Sequence, residues 1–113
     1  MDKLNHYRTM IKTSLQRHAE FMNRHPQPGT EAELTFDEER DHYLLTRIGW
    51  TAQGRLLVPT LFVRLRDGKI WIETDWTEDG LATELLEQGV PQADIVLAFH
   101  PPEMRPYTEF AVA

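Results

Sequence analysis

Apolar residues recur at three- and four-residue intervals along the opening segment and then switch to strict alternation. The chain therefore predicts one long helix followed by a sheet. Leu4, Tyr7, Ile11, Leu15, His18 and Met22 share a helix face, while Lys3, Arg8, Lys12, Gln16 and Glu20 fall largely elsewhere. His18 is read as a core-edge residue and not as a ligand. Asp2 is placed to cap this helix or to favour the positive end of its dipole. Pro26 restricts His25, so the helix stops near Arg24. Pro26-Gln27-Pro28-Gly29 is then a loop joining helix to sheet.

Alternation begins at Ala32, Leu34 and Phe36, with Glu31, Glu33, Thr35 and Asp37 on the opposite face. Glu38-Glu39-Arg40-Asp41 makes a polar turn, and His42 to Trp50 is a second, antiparallel strand. Gln53-Gly54 turns into a third strand, Arg55 to Leu65. Pro59 cannot donate to a ladder, so it belongs at an edge, a bulge or the strand's start. Asp67-Gly68 carries the strongest hairpin signal, because a tight primed turn wants positive φ. The fourth strand ends near Asp75. A second helix follows, capped by Thr77 or Asp79, with an apolar stripe at Leu81, Leu85 and Leu86 and a left-handed end at Gly89 before Pro91.

Beyond Gly89 the pattern weakens. Pro91-Gln92-Ala93-Asp94 suits a short helical turn, Ile95 to Phe99 is open between strand and buried helix, and Pro101-Pro102 makes an extended break. Phe110 and Val112 alternate with polar or small neighbours and suit a short terminal strand. The fold class expected is α+β: an N-terminal helix, a four-stranded antiparallel meander, a second helix and an irregular tail, as a single domain over 1–113.

Composition narrows the function classes. A chain of 113 residues with 41% hydrophobic residues suits one folded unit. Its net charge of -6 disfavours a protein that grips nucleic acid through phosphates, since that takes clustered Lys and Arg. The absence of cysteine removes disulfides, thiol nucleophiles and cysteine-bound zinc, and fits a cytoplasmic location. The N-terminus lacks the apolar core of a signal peptide, and no run approaches a membrane span. No cofactor and no metal site are expected.

Three constellations bear weighing. Asp37, Glu39, Asp41 and His42 could hold a divalent metal for hydrolysis, but their spacing matches no known metal loop and a charged β-turn is the preferred reading. Asp75, Glu78 and Asp79 are explained as an acid-rich helix start. Arg64, Arg66 and Trp71, beside Phe62, resemble in outline a platform for single-stranded nucleic acid. Against that stand Glu73, Asp75 and the overall acidity, so cover by the tail or by another subunit is preferred. No catalytic set emerges, and an enzyme is not expected. Trp50, Trp71 and Trp76 exceed what a minimal core needs, so a homodimer or a fixed protein partner is one expectation and burial of all three in the core is the other. The candidate partner-binding residues are Trp50, Phe62, Arg64, Arg66, Trp71, Trp76 and Arg105.

A family resemblance adds to this. Asp41-His42-Tyr43 running to Gly49-Trp50, Asp67-Gly68-Lys69-Ile70-Trp71-Ile72, Asp75-Trp76-Thr77-Glu78 with Gly80, Gly89-Val90-Pro91 with Asp94-Ile95-Val96-Leu97, and Tyr107-Thr108-Glu109-Phe110-Ala111-Val112 resemble the XisI-like proteins. The opening Met1-Asp2-Lys3-Leu4 is similar too. The third strand departs: many members carry a His and an Asp where this chain has Phe62 and Arg64. The family, called fdxN element excision controlling factors, is cyanobacterial. The resemblance implies an accessory factor that accompanies a site-specific recombinase and the nuclease-like XisH in excising a DNA element, touching DNA only indirectly. It brings no catalytic residues. The reading is a non-enzymatic regulatory subunit that binds an XisH-type protein or a recombinase. A metal-dependent hydrolase using the Asp37–His42 cluster, or a direct nucleic-acid module, is the alternative.

Overall fold

A computed structural model describes residues 2–113, so Met1 of the family-like opening lies outside the described residues. In chain order the elements are α1 (Lys3–Arg24), β1 (Thr30–Asp37), β2 (His42–Thr51), β3 (Gly54–Arg66), β4 (Lys69–Asp75), α2 (Leu81–Glu87) and β5 (Ile95–Leu97). The strands form one sheet in the order β1-β2-β3-β4-β5. The first four are the expected antiparallel meander, and β5 adds a parallel partner to β4. The run left open between strand and helix is therefore a strand. The α2 crossover returns the chain to the side where β4 began, and Ile95 pairs with Ile70 there.

Local chemistry explains most boundaries. The Asp2 carboxylate accepts the Leu4 amide at 2.9 Å and starts α1. Tyr7, Met10, Ile11, Ser14, Leu15 and Ala19 are the buried side of α1. They pack on Ala32, Tyr43, Leu45, Leu61, Val63, Ile70 and Ile72 of the sheet, with Leu81, Leu85 and Ile95 closing the core. Asp67 and Gly68 have φ of 53° and 76°, the primed turn expected of that dipeptide. Pro59 flanks a bulge: Leu45 pairs with Leu61 but Thr46 with Pro59, leaving Thr60 over. A second bulge leaves Glu73 over between the Phe62–Thr74 and Val63–Ile72 pairs.

The start of α2 differs from expectation. Neither Thr77 nor Asp79 caps it. Asp75, at the end of β4, accepts the Leu81 amide at 2.6 Å with one carboxylate oxygen and the Thr77 amide at 2.9 Å with the other. A left-handed Gly80 turns the chain so that this distant carboxylate reaches the helix end. The C-terminal end behaves as expected. The amides of Gly89 and Val90 close back onto the carbonyls of Leu86 and Leu85, both at 3.0 Å, with Gly89 at φ 96°.

Both helices lie on one face of the sheet, here called the inner face. The β1 edge is blocked at Ala32, whose amide and carbonyl bond the side chain of Asn23 at 2.9 and 3.2 Å. At the other edge the expected terminal strand is reduced to a single bridge between Ala111 and Val96. The tail reaches it through a 3-10 segment, Pro102–Tyr107, that passes over the outer face. Among the described residues, no helix is long and apolar enough to cross a membrane.

Candidate partner-binding surfaces

The seven residues singled out from sequence fall into three groups. Trp71, Arg66 and Arg105 form the first, where the tail packs. Trp71 is only 7% exposed, with the guanidinium carbons of Arg66 and Arg105 at 5.0 and 5.5 Å from its ring. Its indole N–H donates to the Arg66 carbonyl at 3.1 Å. Arg105 donates to the carbonyls of His100, Ala98 and Val112, and so fastens the tail over Trp71. His100 contributes its carbonyl there.

The second group shares the outer face. Arg64 donates through Nε and Nη2 to one oxygen of Glu73, at 3.0 and 2.8 Å. Phe62 is half-buried and meets the His42 ring edge-on at 5.6 Å. Trp50 is 65% exposed, with Arg55 stacked at 5.6 Å. Alternation along β2 and β3 puts Leu44, Ile48, Leu57 and Pro59 on this same face, opposite the helices.

Trp76 stands alone on the inner side. Its amide donates to the Thr60 carbonyl at 2.9 Å, which extends the β4 pairing onto the bulge residue. Its indole is 76% exposed at the mouth of a cleft of about 810 Å³. The cleft exists because β4 ends at Asp75 while β2 and β3 run on to Thr51 and Gly54. Past the bulge the inner face of this ribbon has only the end of α1 beside it. Phe21 and Met22 of α1, Arg47 and Val58 of the ribbon, and Trp76 form the walls. His18 Nε2 and Glu84 Oε2, 2.6 Å apart, tie α1 to α2 at its back. Glu78 and Asp79 stand exposed on its rim. Phe21, 59% exposed, escaped the sequence reading. Its signal is an aromatic lying off the apolar stripe of the helix.

The acidic turn is structural. Arg8 donates to both oxygens of Asp41, at 2.6 and 3.0 Å, and the Tyr43 hydroxyl donates to the same carboxylate at 2.8 Å. The guanidinium, more than the phenol, holds the Asp41 carboxyl below its ordinary range. Burial and then the neighbouring carboxylate push the Tyr43 phenol up. Asp37 is lowered by its ion pair with Arg40, and Glu38 pairs with Lys12 at 2.6 Å. At the far end of α1, Tyr7 donates to Asp94 at 2.5 Å, and Lys3 lies at 2.9 Å. Burial first, then that carboxylate, raises the Tyr7 phenol to about 12. Burial would raise Asp94, but Tyr7 and Lys3 together outweigh it and lower its carboxyl. Among the described residues no three His, Asp or Glu side chains converge as a metal site.

The family model for the XisI protein matches residues 1–112. The chain belongs to the XisI family. Two crystal structures from Anabaena variabilis ATCC 29413 agree with it in fold. One, a XisI-like protein, is 34% identical with a TM-score of 0.89, covering 97% of this chain and 99% of its own. The other, the fdxN element excision controlling factor XisI, is 40% identical with a TM-score of 0.86, covering 99% of this chain and all of its own. No curated protein matches. The segments that carry the XisI resemblance hold definite places here. Asp41 is the hub of the first turn, Asp67-Gly68 the primed hairpin, Asp75 the cap of α2 and Gly89 its end. Asp94 anchors α1 ahead of β5.

Proposed function

We propose that this protein is a controlling factor in the excision of a DNA element, and that it acts by binding a protein partner in the cleft beside Trp76. The exposed indole supports this most directly. A Trp held at the mouth of an apolar recess by a strand-like backbone bond is a rigid anchor for another protein. The role in excision rests on the family and on the function named for the Anabaena XisI. The partner suited to this surface is basic, such as an XisH-type nuclease-like protein or a recombinase. The net charge of -6 complements a surface built to meet phosphates, and the cleft itself offers both signs, Glu78 and Asp79 beside Arg17 and Arg47.

Other readings draw less support from the geometry. Of the hydrolytic candidates Asp37, Glu39, Asp41 and His42, Asp37 and Asp41 face Arg40 and Arg8. Of the nucleic-acid platform Arg64, Arg66 and Trp71, Arg64 is paired with Glu73, Arg66 stacks on the Trp71 ring and Trp71 lies under the tail.

Co-expression with the XisH-type protein of the same genome, followed by light scattering on a sizing column, tests the proposal. A stable mixed complex that Trp76→Ala weakens at least about tenfold is expected, in line with an aromatic hot spot. Two separate peaks with both the XisH-type protein and the recombinase would overturn it.

A further inference from the structure

The outer face of β1–β3 is apolar in the middle and oppositely charged on its two sides. Along the centre run Leu44 and Ile48 of β2, with Leu57 and Phe62 of β3 beside them. Leu57 is 62% exposed and Trp50 65%, and together with Leu44, Ile48 and Phe62 they make the apolar positions of this face contiguous. Register puts Glu31 and Glu33 of β1 on this face, opposite Ile48 and Thr46. Arg55 of β3 lies on it beside Trp50. Among the described residues, Glu31, Glu33 and Arg55 enter no ion pair within the chain. The tail reaches only the β4–β5 half, over Trp71.

We propose that this face is the contact surface of a homodimer. A two-fold axis along β2 carries β1 of each copy over β3 of the other. Leu44 and Ile48 then meet their own counterparts, and by register the carboxylate of Glu31 comes over Leu57, within reach of Arg55 two residues along, while Glu33 comes over Pro59. The surface is complementary to itself, which an isologous contact requires. Aligned packing of two sheets about 10 Å apart is the ordinary way two such faces meet. The proposal is independent of the partner cleft, which lies on the inner side.

Light scattering over a range of concentrations tests it, with circular dichroism confirming that each variant is folded. The wild-type chain is expected at twice its monomer mass, and Leu57→Glu, a change at an exposed position, at the monomer mass. Glu31→Arg and Arg55→Glu are each expected to weaken self-association about tenfold or more, and the double variant to recover it. Trp76→Ala is expected to stay dimeric, which separates this contact from partner binding. A wild-type monomer at about 100 µM would overturn the proposal, as would a dimer indifferent to Leu57→Glu or charge reversals without rescue.

Discussion

Arg8 of α1 and Asp41 of the β1–β2 turn form a two-pronged ion pair, with N–O distances of 2.6 and 3.0 Å, across 33 positions of sequence. Asp41 sits in the left-handed region at φ 55°, takes the Tyr43 hydroxyl, and offers its carbonyl to the Leu65 amide at 3.0 Å. One residue thus joins the first helix to β2 and β3. Asp41→Ala loses the pair and strains the turn, and is expected to cost about 2–4 kcal/mol. Asp41→Asn keeps the backbone preference and should cost less than half of that. Urea denaturation of the two variants measures the difference.

Acid should unfold the protein through its paired carboxyls. Asp41 and Asp94 both have folded pKa values below the ordinary 3.8. A lowered carboxyl contributes stability that is complete above its unfolded pKa and fades as pH falls through the folded value. Stability from these two groups is therefore expected to be flat at neutral pH and to decline below about pH 4. Asp94→Asn should be less stable at pH 7 and show a shallower decline. A set of urea midpoints from pH 2 to pH 7 reads both effects.

The cap of α2 gives a sharp contrast between neighbours. Asp75→Ala removes the acceptor for the Leu81 and Thr77 amides and is expected to cost about 1–2 kcal/mol. Asp79→Ala, at an exposed residue with no such bond, should stay within about 0.5 kcal/mol of wild type. Hydrogen exchange of the α2 amides should rise only in the first variant.

Gly49 lies where β2 crosses the Gly29 corner. A Cβ there would stand 2.0 Å from the Gly29 carbonyl oxygen and 2.8 Å from the Thr30 Cα. Both obstacles are backbone, so the strand pair must separate. Gly49→Ala is expected to cost more than about 3 kcal/mol, seen as a lowered Tm or loss of folded protein. Gly54→Ala, where the space is open, should be milder, although its φ of 116° still favours glycine.

Ser14 is fully buried on α1, and its hydroxyl has no partner among the described residues. Removing an unsatisfied buried hydroxyl relieves its lost hydration. Ser14→Ala is expected to raise stability by about 1 kcal/mol, read as a higher Tm by calorimetry. A lower Tm would mean that the hydroxyl is satisfied in solution.

What the sequence determined by itself was every feature written in neighbouring residues. The spacing from Leu4 to Met22 dictates α1, Asp67-Gly68 the hairpin, and Gly89 the end of α2. Each follows from side-chain period or from backbone angles that few residues accept. The family was legible for the same reason, since its motifs are turns and caps of this kind. Only the tertiary structure decided the rest. The run Ile95–Leu97 has no period of its own and became a strand because the edge of β4 was open to it. Asp75 displaced Thr77 and Asp79 as the cap because Gly80 folds the chain back onto it. Trp71 and Trp76 lie close in sequence, yet one is buried under the tail and the other stands at the cleft. Burial depends on which distant segments arrive at a face, and no local pattern records that.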